Sequence, residues 1–428
     1  MRRHLRDSKG HIFRVLQLVA ALLIGCVSGL GCSLGPRSIE RSRLQYNEAI
    51  KTTTEQQLLL NIVRLRYLDS PSSLSITAIA QQQEIAAGLR AVPFFTSAAA
   101  GDIGSYRGAI LPGVELSGAS RPTLSYTPID DQEFTRRLFT PITLDGLAYL
   151  GKTTWPIATV FRLYLENANW VSNAETASGP TPRQQPVYAE FLAGVEALQR
   201  LRDRSLAVLH SEEREERLTD GVPAGPGTAG AAVEAAKAGL EYRKDDKNGW
   251  VTLRKRQQPL LRLGTLPDDD PDLQAFCRAF KLDPAKRKFE LTTEKLDPFL
   301  AGTPKAGLDA LDLETRSLLQ VLFFVAHGVQ VPPPHLLSGV APQTVESEGK
   351  PFDWDQVLTG LFKVCWADGK NPPPHAHVSV RYNGYWFYID QRDRDTKATF
   401  NLLMELSRLE LGAKLGTAPV LTLPIGGR

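Results

Sequence analysis

Cysteine and methionine are scarce in this chain, four and two among 428 residues. Cys26 and Cys32 lie near the N-terminus, so only Cys277 and Cys365 remain for everything that follows. That excludes a disulfide-stapled scaffold and leaves open whether those two pair or stay as thiols. Charge is missing altogether from Val15 to Leu34. No comparable apolar run recurs. Leu318 to Ala326 comes nearest, and it is far too short to span a bilayer. Also missing are G-x-S-x-G, H-E-x-x-H and a P-loop, so no contiguous hydrolase, zinc-protease or nucleotide pattern is present. A triad assembled from distant residues stays open, because triads are defined by geometry and not by sequence order.

What is present begins with a basic head. Arg2, Arg3, Arg6, Lys9 and Arg14 face the single acid Asp7, and the uncharged run follows. A basic head, an apolar core and small residues make a secretory signal. Leu23-Ile24-Gly25-Cys26 and Gly29-Leu30-Gly31-Cys32 both resemble the lipobox of bacterial lipoproteins, in which a thiol accepts the lipid and a small residue precedes it. Leu23 favours Cys26, whereas the flexible Ser33-Leu34-Gly35-Pro36 favours Cys32 as the palmitate-bearing residue. The same stretch has the length of an uncleaved anchor, and a cleaved, unlipidated signal is the third reading.

Removing residues 1–31 takes away five bases and one acid, so the formal charge of +3 becomes 45 bases against 46 acids. A body so near neutrality gives no support for nucleic-acid binding. The expected organisation is 1–31 signal peptide, 32–70 tether and N-terminal helix, and 71–171 an α/β domain. A helix with an irregular insertion and hairpin (172–264) and a C-terminal α+β domain (265–428) complete it.

Local patterns fill in that outline. Residues 38–68 have helical spacing, with a break expected near Thr52-Thr53-Thr54. Leu74, Ile76 and Ala78 alternate with polar residues as in a strand. The Gly-, Ala- and Ser-rich residues 90–120 suggest a long loop. Helices are expected from Trp155-Pro156 to about Asn169, over Val187–Arg204 and over Leu273–Phe280. Leu313 to His327, apolar almost all round, predicts a buried helix closed by Gly328. Asn383-Gly384 between alternating runs is a hairpin signal, Asp395 can cap a helix over 396–411, and 420–423 ends as a strand. The fold class is α+β, with mixed helices, short antiparallel strands and a C-terminal hairpin–helix–strand unit.

Several motifs dissolve on inspection. Gly225, Gly227 and Gly230 match G-x-G-x-x-G, but no apolar strand runs into them and Pro226 interrupts. His375 and His377 share the spacing of a two-ligand metal site without an evident third. Asp390, Asp393 and Asp395 lack the glycine and distal glutamate of a calcium loop. No cofactor or metal is assigned. The hairpin is more informative. A two-residue turn pairs Tyr382 with Tyr385, Val380 with Phe387 and Val378 with Ile389, giving an apolar core face. The other face then pairs Arg381 with Trp386, Ser379 with Tyr388 and His377 with Asp390. An arginine over tryptophan with tyrosine alongside suits a contact face, unless a helix or second sheet covers it and makes Trp386 core.

Gln45 to Ile50, Leu60 to Tyr67, Arg121 to Pro128 and Tyr385 to Asp390 together resemble a group of uncharacterised exported bacterial proteins. The resemblance implies an envelope protein and carries no activity. The sequence thus points to a membrane-tethered lipoprotein of the cell envelope, on the periplasmic face of the outer membrane where a cell has two. It would act as a scaffold or accessory subunit on other envelope proteins. The alternatives are a sugar- or peptidoglycan-binding module and an exported hydrolase.

Overall fold

A computed structural model describes residues 43–72, 74–96, 107–128, 132–219, 228–245, 249–293, 308–412 and 421–424. Cys26, Cys32, Gly225 and Gly227 lie outside them. The chain divides into two units, Met1–Leu58 and Leu59–Arg428. In the first, 43–58 is helical throughout, with no break at the threonines. Thr53 and Thr54 donate back to the carbonyls of Ala49 (2.8 Å) and Ile50 (2.7 Å), so their hydroxyls are satisfied inside the helix instead of capping a new one.

The second unit opens with helical residues 59–66 (α1). These end where Leu68 adopts φ 59° and the Asp69 amide closes on the Arg64 carbonyl at 2.9 Å. Strands β1 (Leu74–Thr96) and β2 (Arg107–Pro128) come next, then helices α2 (Gln132–Phe139), α3 (Leu144–Lys152) and α4 (Ile157–Tyr164). Strands β3 (Leu165–Ala168) and β4 (Val171–Ser172) precede α5 (Ala189–Asp203), β5 (Ala207–Arg217) and α6 (Thr228–Lys237). There follow β6 (Glu241–Asp245), β7 (Gly249–Leu263), α7 (Pro271–Ala279), β8 (Lys288–Thr292) and β9 (Ala310–Thr315). The last part comprises α8 (Leu318–Ala326), α9 (Pro333–Leu337), α10 (Asp355–Leu358) and β10 (Cys365–Ala367). Strands β11 (Ala376–Tyr382) and β12 (Tyr385–Asp390), α11 (Arg394–Gly412) and β13 (Leu421–Pro424) end it. The architecture is α+β. Among the described residues no helix is long and apolar enough to cross a membrane.

Seven strands make the central sheet, in the order β4-β3-β9-β8-β7-β5 with β6 also on β7. Only its β8–β9 pairing is parallel. Helix α5 closes against α7 through Gly194, where an added Cβ would stand 2.5 Å from the Phe280 ring. Phe191 meets that ring edge-on at 5.6 Å. Cys277 and Cys365 are both free thiols.

Four further local expectations change. The helix expected from Trp155-Pro156 to about Asn169 ends at Tyr164, and 165–168 extend as β3. The apolar run from Leu313 is split: 310–315 extend as β9, and Ser317 starts α8 with a capping box to Gln320. Helix α11 begins at Arg394, because Asp393, not Asp395, accepts from the Thr396 amide (3.0 Å) and hydroxyl (2.7 Å). Most of the expected 90–120 loop is strand instead. β1 and β2 pair from Leu74↔Pro128 to Thr96↔Arg107, and β13 lies along β2 from Tyr126 to Thr123.

Candidate functional site

The C-terminal sheet has the order β10-β12-β11. Its turn is the expected one: Asn383 at φ 44° and Gly384 at φ 90° supply the two left-handed residues that a tight hairpin needs. Arg381 pairs with Trp386 and Ser379 with Tyr388, as the spacing predicts. His377 does not pair with Asp390. A bulge between Ala376 and Val378 places Ala376 opposite Asp390 and takes His377 out of the ladder. Asp390 instead accepts from the Arg392 amide (2.8 Å) and guanidinium (3.2 Å), and the latter bond holds its carboxyl below the usual carboxylate range.

Val378, Val380, Phe387 and Ile389 form the buried side of this sheet. On the opposite side Trp386 and Tyr388 are half-buried and Arg381 is exposed. The third strand sets Ala367 beside Trp386 and Cys365 beside Tyr388. Tyr382 and Tyr385, expected with the core, are half-buried members of an aromatic cluster. Tyr67 lies 5.2 Å from Tyr382 and 6.0 Å from Phe387, and its hydroxyl is 2.8 Å from His335 Nδ1. His335 in turn meets Tyr385 edge-on at 5.0 Å.

A separate concavity, a cleft of about 850 Å³, lies beside β3, β9 and β7. Four carboxylates line it, and three of them, all but that of Asp145 on α3, accept from a neighbouring side chain. Glu166 accepts from Gln320 (3.0 Å), Glu314 from Asn167 (2.5 Å) and Asp312 from Thr292 (2.6 Å). Burial raises the Glu166 carboxyl, against the lowering effect of Ser178 and the Arg316 charge. Trp170 stands at the cleft on a left-handed turn, φ 61° after Asn169 at 49°, and is 38% exposed. Neither histidine nor cysteine is among the described residues lining it.

Sequence reasoning missed the buried guanidinium groups. Arg316 is fully enclosed and donates to Ser178 Oγ (2.8 Å) and to the carbonyls of Arg162 (2.9 Å), Leu163 (3.2 Å) and Asn173 (2.5 Å). Its plane lies 4.0 Å over the Phe324 ring, and burial lowers its pKa to about 9. Arg162 similarly binds the carbonyls of Val357 (2.8 Å) and Thr359 (2.9 Å). Arg66 binds the Pro342 carbonyl (2.8 Å) beside a small pocket of about 180 Å³ that His327 and Trp354 also line. The only signal available was a charged residue inside an apolar pattern, Leu65-Arg66-Tyr67 and Thr315-Arg316-Ser317-Leu318. No protein-family model matches this chain, and no curated protein or solved structure shows significant similarity to it.

Proposed function

We propose that the chain is a lipid-tethered protein of the cell envelope whose folded body works through contacts with other envelope proteins. The observation that carries the contact reading is the outer side of the C-terminal sheet, where Arg381, Trp386 and Tyr388 stand together incompletely buried. Aromatic residues and arginine are the types enriched where binding energy concentrates. The anchor reading rests on the uncharged run and the cysteine boxes at Cys26 and Cys32. A photo-crosslinking residue placed at Tyr388 in the full chain, in intact envelopes, should give discrete adducts. Adducts no more abundant than from the exposed Lys350 would overturn the reading.

Glycan binding is the second reading, and the cleft favours it. Trp170 offers a ring for sugar stacking, and Asn167, Gln257 and Gln258 line the same concavity with amides. A buried carboxyl with a raised pKa is also what a hydrolytic acid requires. Glu166, however, lies in a network through Ser178 to the Arg316 charge, which gives it a structural task. A glycan array with no signal above background would remove this reading.

A further inference from the structure

β1 and β2 run 23 and 22 residues, about 70 Å of ribbon at ~3.3 Å per residue. Strands of five or six residues are the norm, and an isolated two-stranded ribbon is marginal in water. Among the described residues no strand pairs with the outer edge of β1, and β2 is paired on its outer edge only from Thr123 to Tyr126. Among the described residues the distal ribbon therefore has two unpaired edges.

The residue pattern along it has two sides. Alternate positions of a strand fall on one face. From Ile85 to Phe95 on β1 and from Gly108 to Gly118 on β2, one set of alternate positions holds no polar or charged residue. Leu89 is paired with Val114 there, Ala87 with Leu116 and Pro93 with Ile110. The other set carries Glu84, Arg90, Arg107, Glu115 and Arg121 among small residues, together with Val92, Phe94 and Leu111. Eleven residues at ~3.3 Å give about 36 Å, and a tilt of about 40° reduces that to roughly 28 Å, close to the apolar band of a membrane barrel.

A two-stranded ribbon cannot enter lipid alone, because its edge N–H and C=O groups would go unpaired there. Repeated head-to-tail pairing of β1 of one copy with β2 of the next closes a ring and removes every edge. The charges suit that joint. Arg90 is level with Gly113, two residues from Glu115, so an arginine on one edge and a glutamate on the other lie at similar height on the polar set. Pro93 and Pro112 each remove one ladder donor, which weakens the joint without abolishing it. We infer that the β1–β2 ribbon is a membrane-inserting element, and that several copies of the chain join their ribbons edge to edge into a closed β-barrel with the apolar set toward lipid. The inference rests on the envelope reading, which supplies the bilayer.

Vesicles of phosphatidylethanolamine and phosphatidylglycerol loaded with calcein test it directly. The full chain, purified in detergent, should release the dye and migrate as an oligomer on unboiled gels. Leu89→Asp, on the apolar set, should lose about tenfold or more of the release. Ala86→Asp, three residues away on the other set, should stay within about twofold. All six tryptophans lie outside the ribbon, so their fluorescence reports the folding of the rest of each variant. Val114→Asp replaces Leu89→Asp if that variant unfolds. A monomeric wild-type chain without release, or equal effects of the two substitutions, would overturn the inference. The vesicles bypass export, so a chain without lipid that still inserts counts against the anchor alone.

Discussion

Acid should weaken the folded chain through one buried ring, that of His327. Its Nδ1 is 2.7 Å from the Phe323 carbonyl, so that nitrogen carries the proton and donates. Nε2 is then an unprotonated nitrogen, enclosed and without a hydrogen-bond partner among the described residues. Burial first, and the Arg66 charge second, hold the pKa at about 3 against an ordinary 6.5. Because the folded value is the lower one, the unfolded chain takes up the proton first as pH falls. The stability owed to neutral His327 is fully present above about pH 6.5 and is lost progressively toward pH 3. Between pH 7.5 and 4.5 that amounts to roughly 2–3 kcal/mol. His327→Asn keeps an amide N–H near the Phe323 carbonyl and does not titrate. Its cost should therefore shrink by roughly 2–3 kcal/mol between pH 7.5 and 4.5, because only the parent loses this contribution, while the carboxylates titrate alike in both chains and cancel. Urea unfolding followed by tryptophan fluorescence at the two pH values measures the difference. If the variant loses as much stability on acidification as the parent, within about 0.5 kcal/mol, the assignment of acid sensitivity to this ring is wrong.

Gly194→Ala sets two effects against each other: alanine favours a helix by about 1 kcal/mol, and overpacking takes about 1–3. The new Cβ would stand 2.5 Å from the Phe280 ring and 2.7 Å from Ala279 Cβ, and Phe280 is only 1% exposed, so a net loss is expected. A thermal melt that stays level or rises would refute the close approach of α5 and α7. Arg316→Met leaves three carbonyls and the Ser178 hydroxyl without their donor and should cost about 3–5 kcal/mol. A shift in the denaturant midpoint worth less than about 1 kcal/mol would contradict that. Trp386→Ala should leave the melt within a few degrees, since the side chain is only half-buried, yet remove the adducts formed from Tyr388. Global unfolding would instead make Trp386 a core residue.

Much of the fold was readable where one local pattern dominated. Asn383-Gly384 fixed both the turn and the register from Val378 to Ile389, because the side-chain period of a strand is two and the turn sets its phase. The register failed at His377 because a bulge adds one residue without a composition signal. The β1–β2 ribbon was hidden for a different reason. Its Gly, Ala and Ser content resembles a loop, and only the alternation of Leu89, Ala91 and Pro93 with their neighbours carries the strand period. Asp393 and Asp395 are equally good caps by type, and the choice between them came from the packing of Thr396, 1% exposed, over the Lys363 amide at 2.9 Å. The candidate site was partly readable: Arg381, Trp386 and Tyr388 came from spacing alone. The cleft at Glu166 and the Arg316 carbonyl cage join residues more than 130 positions apart, and no short-range pattern encodes that.

Metabolic labelling with palmitate tests the lipid tether proposed at Cys26 or Cys32. The full chain should take up label, and either Cys32→Ser or Cys26→Ser should abolish it while the other substitution leaves it unchanged. A chain that is expressed and exported yet carries no label in any of the three forms would contradict the claim.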